Sequence, residues 1–179
     1  MLIFKRLNQT RYNSENWRTD VNLNYPVKSQ YLPSILSSNN HRLAGMNRSL
    51  AKSENYRVLF HKAWKQQMWG RKRSPALVIR GGQELDGRRE LEGSIKIHIG
   101  RYLYLGTDLW LSDTSNSATG NWPRLPALPG KSQASGQFLS ELTSPRRVTV
   151  MREKRRMRSK EIHYIDHPLM GIVVYLTPL

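Results

Sequence analysis

The chain has 179 residues, 29 Lys plus Arg against 13 Asp plus Glu, a formal net charge of +16 and no cysteine. That excludes a disulfide scaffold or a cysteine-ligated metal protein, and no 18-residue apolar run offers a membrane-spanning helix. Ile, Val, Leu and aromatic residues cluster in strand-sized runs, so the chain is not fully disordered; a basic protein that meets a polyanion or an acidic surface is expected.

Residues 1–7 read as a short strand, with Met1-Leu2-Ile3-Phe4 running straight into Lys5-Arg6. A signal peptide places its positive residues before a longer apolar stretch, so this order is not an export signal. The expectation is a cytosolic chain, or one whose start has been truncated. Residues 8–34 lose periodicity and carry Pro26, Pro33 and Trp17, which predicts a loop with a few anchors. Over 34–53, Leu36, Leu43 and Leu50 recur every seven residues with Met46 between them. That stripe predicts a helix, capped by Ser34 or Ser38, whose apolar face covers a sheet.

Residues 56–66 alternate, with Tyr56, Val58, Phe60 and Trp64 on one parity and Arg57, His61 and Lys65 on the other. A half-buried strand with a basic face is predicted. A second strand, 75–80, is expected to end at Gly81-Gly82, before a turn holding Glu84 and Asp86. The clearest pattern spans 91–111. Leu91, Ile95, Ile97, Ile99, Leu103, Leu105, Leu109 and Leu111 share one parity. A single strand of that length would be unusual. Two antiparallel strands turning near Gly100, or one strand bent at Gly100 and Gly106, are the two readings. In both, the odd face is core and the even face is polar, aromatic and partly exposed.

Residues 112–145 are rich in Ser, Thr, Gly, Asn and Pro and read as an irregular or mobile excursion, tacked down by Trp122, Leu125, Leu128 and Phe138. Strands return at 146–179: one from Val148 into 153–158, a turn at Ser159-Lys160, a strand over Ile162–Ile165, a turn at Asp166-His167-Pro168, and a final strand over 171–176. The fold class predicted is α+β, an antiparallel sheet packed by one main helix with a long irregular loop. Residues 1–179 are expected to form a single domain.

The basic segment 146–160 holds eight Lys or Arg against the single acid Glu153. Arg147, Arg152, Arg155, Arg156, Arg158 and Lys160 would form a patch rather than a tail. Such a patch can hold phosphate backbones, acidic peptidoglycan stems, envelope phosphates or an acidic protein. It can equally be a solvated edge strand whose cations deter sheet-to-sheet association. Tyr102, Tyr104, Trp110 and Tyr164 interleave with these cations and with Arg101, as stacking on bases or sugar rings requires, and ordinary cross-strand packing is the other reading. Asp108 and Glu161 stand nearby as carboxylates.

Gly81-Gly82 lacks the Lys-Ser/Thr of a phosphate loop, and no Gly-x-Gly-x-x-Gly opens a helix. No cofactor is expected. His163 and His167 flank Asp166 at a spacing that suits metal ligands on a helix, but here they span a strand and a proline turn, so no metal site follows. No nucleophile–base arrangement or carboxylate pair stands out, and no enzyme is predicted.

Three segments together carry a resemblance: Tyr56 through Gln66, Leu91 through Leu111, and Arg155-Arg156-Met157-Arg158 through Gly171. This chain resembles the CsiV family of peptidoglycan-binding proteins from Gram-negative bacteria, and Met1–Phe4 with Trp17 resembles that family's first strand and the tryptophan after it. The resemblance implies a non-enzymatic periplasmic protein that binds peptidoglycan. It also implies a role in cell-wall synthesis and cell shape through a lipoprotein activator of a class A penicillin-binding protein. On matching positions it singles out His61, Trp64, Arg101, Tyr102, Arg155, Arg156, Arg158, His163, Asp166 and His167. The chain departs from the family in its missing signal peptide and its high charge. A cytosolic nucleic-acid-binding protein and a scaffold for an acidic protein partner remain the rival readings.

Overall fold

A computed structural model describes residues 1–7, 20–37, 41–85, 87–113, 122–130 and 147–178. Trp17, Ser38, Phe138 and most of 112–145 lie outside the described residues. The elements are β1 (Leu2–Arg6), β2 (Ser29–Gln30), α1 (Ala44–Ala51), β3 (Tyr56–His61), β4 (Ala76–Leu85), β5 (Arg88–Ile99), β6 (Leu103–Ser112), β7 (Val148–Met151), β8 (Lys154–Met157), β9 (Ile162–Asp166) and β10 (Met170–Tyr175).

The strands form two sheets, not one. The first has the order β3-β1-β10-β9, and the second runs β2-β4-β5-β6-β7, with β8 also paired to β6. Apolar residues alternate along most strands, so each sheet offers an apolar face and the two faces meet. Ile3, Phe60, Ile172 and Val174 of the first sheet join Ile79, Ile95, Leu105 and Leu109 of the second in one buried cluster. Burying each such side chain contributes about 1.5–3 kcal/mol. The sandwich replaces the single helix-covered sheet expected from the sequence.

The helix is shorter than the sequence predicts. It spans only eight residues, begins after Leu43 and has no side-chain cap. Ile35 is bridged to Trp64 as an isolated strand pair, and the Leu36 N–H donates to the Ala63 carbonyl, so this part of the predicted helix is extended instead. Of the stripe, Leu43 is buried while Met46 is exposed. Leu43 and Leu50 cover the outer face of the first sheet, against Leu2, Phe4 and Val173. The predicted strand over 56–66 ends at His61, and a bulge opposite Ile3 and Phe4 turns both Leu59 and Phe60 into the main cluster.

The paired strands of 91–111 fold as the first of the two readings. Leu91 pairs with Leu111 and Ile99 with Leu103, which centres the hairpin on Arg101. β4 does not stop at Gly81-Gly82 but continues to Leu85 through an irregularity between Gly81 and Glu84. Gly81 is needed there, because a Cβ would stand 2.2 Å from the Leu59 carbonyl oxygen where β3 crosses close to β4. The even face of β5 and β6 is more buried than its polarity suggested. Trp110 is 0% exposed and packs with Leu23, Leu125 and Val148 on the outer face of the second sheet. Leu125 and Leu128 are buried and Trp122 is half-buried.

β7 and β8 form one interrupted edge strand on β6, in a single register: Leu109 faces Met151 and Leu103 faces Met157. Thr107 stitches the interruption. Its N–H donates to the Glu153 carbonyl at 2.8 Å, and its hydroxyl accepts from the Glu153 N–H at 2.9 Å. The turn to β9 carries Lys160 at φ 64°, as the sequence placed it.

Among the described residues two carboxylates are buried. Glu90 on β5 is 0% exposed and meets Lys5 of β1 at 3.0 Å and Arg57 of β3 at 2.5 Å, so it ties the two sheets together. Glu92 is held by Arg80 at 3.3 Å and Arg88 at 2.6 Å. Removing a buried ion's partner leaves uncompensated charge and costs about 3–5 kcal/mol. Glu90→Ala is therefore expected to lower the unfolding free energy by about that amount in urea titrations. Glu84→Ala, which breaks the exposed pair with Arg89, should change it by less than about 1 kcal/mol.

Candidate functional site

Strand register sets side chains of β5, β6 and β8 in rows across the outer face of the second sheet. His98 faces Tyr104, and Tyr104 faces Arg156; one pair further, Lys96 faces Gly106, and Gly106 faces Lys154. Cross-strand neighbours of this kind are close enough to interact directly. The His98 and Tyr104 rings stack with centroids 5.2 Å apart. The Lys154 ammonium lies 5.9 Å from the Tyr104 ring centre. Gly106 has no side chain, so Lys96 and Lys154 flank a notch. At the hairpin tip Arg156 lies 4.4 Å and Arg101 5.8 Å from the Tyr102 ring centre. Cations over aromatic faces are attracted by the ring quadrupole.

None of Lys96, Arg101, Lys154 or Arg156 forms an ion pair among the described residues. The strip ends at Asp108, which takes Arg152 at 2.9 Å. His98 records this field. Burial first, then Lys154, Lys96 and Arg71, hold its pKa below the ordinary histidine value.

The structure thus brings Arg101, Tyr102, Tyr104 and Arg156 together. Arg155 is exposed on the same strand, one residue from Arg156. Other candidates stand elsewhere. Trp110, fully buried, cannot offer a stacking face; the sequence reading is corrected there, because segments far away in the chain cover it. Arg152 donates to Asp108 and to the Asn22 carbonyl, and Arg147 lies 5.3 Å from the Trp122 ring centre. His163 Nε2 meets the Arg158 backbone at 3.0 Å and braces the β8–β9 turn, with exposed Lys160 in that turn. Asp166 receives Tyr164 at 2.6 Å and also pairs with Arg6, and the Tyr164 hydrogen bond is the main cause of its lowered pKa. His167 lies 3.4 Å from Thr149. Among the described residues no group of three or more His, Asp or Glu could hold a metal ion.

Sequence reasoning missed Lys96, His98 and the role of Gly106. The alternation placed them on the even face, but only the register with β8 shows that they adjoin its cations.

Beside the strip, a cleft of about 760 Å³ opens at the hairpin end of the sandwich. Its floor includes Met68, Ile97, Leu103, Met157, Val174 and Leu176, and its rim includes Arg42, Lys62, Lys65, Arg101 and Arg158. His41 and His61 meet edge to face within it, 4.6 Å apart. Burial and the neighbouring His41 lower the His61 pKa. Arg101 and Tyr102 border both the cleft and the strip.

The edge strand, the bracing hairpin and the cation-bearing tip are the segments whose sequence carries the family likeness. The family model described as "Peptidoglycan-binding protein, CsiV" matches residues 31–179, and the chain belongs to that family. The match excludes Met1–Phe4 and Trp17, so the likeness drawn on those residues stands outside it. No curated protein and no solved structure matches the chain. Among the described residues no helix is long and apolar enough to cross a membrane.

The cation field around His98 is open to measurement. Its ring should titrate below the midpoint of a free histidine in NMR, and Lys154→Glu should move that midpoint upward. A pKa lowered on folding means that the unfolded chain takes up the proton first. His98 therefore removes stability as pH falls below the ordinary histidine value.

Proposed function

We propose that the strip formed by Tyr104, Arg156, Lys96 and Lys154, backed by the buried His98 and with Arg101 and Tyr102 at its tip, is the surface through which the protein holds peptidoglycan. The carrying observation is the row of aromatic rings beside cations that form no ion pair among the described residues. Peptidoglycan combines flat sugar rings with peptide stems that end in carboxylates. Tyr102 and Tyr104 supply planar apolar surface for the sugars. Arg101, Lys154 and Arg156 supply charge-assisted hydrogen bonds to carboxylates, the stronger kind. Arg155, Arg158 and Lys160 extend the positive field around this surface and steer an anionic polymer toward it. Membership in a peptidoglycan-binding family supports the reading.

The role is binding rather than catalysis, in the periplasm. The bound protein supports wall synthesis through a lipoprotein activator of a class A penicillin-binding protein, a step that rests on the family likeness alone. Cross-linking in cells should recover that lipoprotein with the wild-type chain; recovery of only unrelated acidic proteins would oppose it.

Purified sacculi should retain the protein at physiological salt. The double substitution Lys154→Glu and Arg156→Glu should lower retention at least tenfold, with an unchanged thermal melt, since both side chains are exposed. Retention equal to wild type would remove the strip from the binding surface. Gel-shift titrations give the rival outcome: tight nucleic-acid binding with a steep linear loss of log affinity against log salt, and no retention by sacculi.

A further inference from the structure

The cleft at the open end of the sandwich is built differently from the strip. The residues deepest in it are apolar: Ile97, Met157 and Val174 are each at most 2% exposed. Its amide and carboxylate side chains are engaged. The Gln66 carbonyl oxygen accepts from the Trp64 ring N–H at 2.7 Å, and its amide nitrogen lies 3.5 Å from the Met68 sulfur. Glu161 pairs with Arg158 at 3.7 Å. A sugar needs free amides and carboxylates to meet its hydroxyl groups, and here the amide of Gln66 and the carboxylate of Glu161 already have partners.

What the cleft leaves available is an apolar floor and a cationic rim. Arg42, Lys62, Lys65 and Arg101 have no ion pair among the described residues. Arg42 lies 5.9 Å from the Tyr175 ring centre and Lys62 5.7 Å from that of Phe60, so aromatic faces hold two of these cations near the rim. The volume falls in the range of sites that enclose a small organic molecule. Ile99, 46% exposed at the edge of the cleft, extends its apolar surface outward.

We infer that the cleft binds a single aliphatic chain that ends in a phosphate, the chain on the floor and the phosphate at the rim. Charge complementarity selects the head group. Several unpaired cations disposed around one opening suit a tetrahedral dianion, whose oxygens can accept from more than one of them at once. The apolar floor selects the chain, because each methylene removed from water there is favourable. The cleft shares only Arg101 and Tyr102 with the strip, whose rows lie on the outer face of the second sheet.

The probe is decyl phosphate below its micelle concentration, titrated calorimetrically into the full chain. Saturable binding of one molecule per chain is expected. Octyl phosphate should bind roughly tenfold more weakly for its two missing methylenes. Inorganic phosphate and decyltrimethylammonium should each bind at least tenfold more weakly than decyl phosphate. Lys62→Glu, away from the strip, should weaken decyl phosphate at least tenfold while sacculus retention persists. Equal binding of decyltrimethylammonium would reduce the cleft to an apolar surface and overturn the inference. Equal binding of inorganic phosphate would reduce it to a charge site and do the same. A short apolar–acidic peptide that binds where decyl phosphate does not would overturn it in favour of a protein partner. Loss of sacculus retention on Lys154→Glu and Arg156→Glu bears on the strip alone, so the two readings fail separately.

Discussion

The carboxylate of Glu90 holds the sandwich together at one end. It lies near the start of β5, and its partners Lys5 and Arg57 lie on β1 and β3 of the opposite sheet. A charge without access to water must keep its partners, so the two sheets cannot slide or separate at this end without stranding it. Nearby, β3 and β4 approach until only glycine fits at position 81. No such tie exists among the described residues at the other end of the same strands. There β5 reaches Ile97 and Ile99, β3 reaches His61, and the sheets part around the cleft. The buried ion cluster thus marks the closed end of the sandwich, and the cleft lies at the end without one among the described residues.

The same cluster shapes the outer charge. Glu90 and Glu92 lie in the interior, each held by two basic side chains. Asp166 is taken by Arg6, Asp108 by Arg152 and Glu84 by Arg89. These acids are committed to structural pairs, whereas Lys96, Arg101, Lys154 and Arg156 of the strip and Arg42, Lys62 and Lys65 of the rim have no ion pair among the described residues. The net charge of +16 is a sum over the whole chain, whereas a ligand meets the local excess that this distribution leaves.

Much of this was legible in the sequence. The alternation over 91–111 located the hairpin, and the turn residues near Lys160 and Pro168 located the last strands, because both depend on neighbours in the chain. The helix over 34–53 was overextended because the leucine stripe fits a helix as well as it fits an extended segment pinned by Trp64. Trp110 read as a half-exposed aromatic because its cover comes from Leu23 and Leu125, which no local pattern links to it. Glu90 lies just before the alternating stretch and carries no local signal of its own, and only the opposite sheet reveals it as a tie. The strip was half legible: Tyr102, Tyr104 and Arg156 stood out by type, while Lys96 and His98 needed the register. The cleft was not legible, since it is made from the ends of several separate strands.

The hairpin tip couples the two surfaces. Tyr102 lies beneath Arg156 from the strip, and Tyr102 and Arg101 also line the cleft. A ligand that draws Arg156 or Arg101 toward its own anion changes the cations that lie over Tyr102, and with them the edge of the cleft. Occupants of strip and cleft that both drew on Arg101 would compete for one guanidinium, although their remaining contacts are separate. An occupant of the cleft held by Arg42 and Lys62 alone would leave the strip free. Which cation the head group chooses therefore decides whether the two surfaces act independently or against each other, and the turn between Ile99 and Leu103 is where that choice is made.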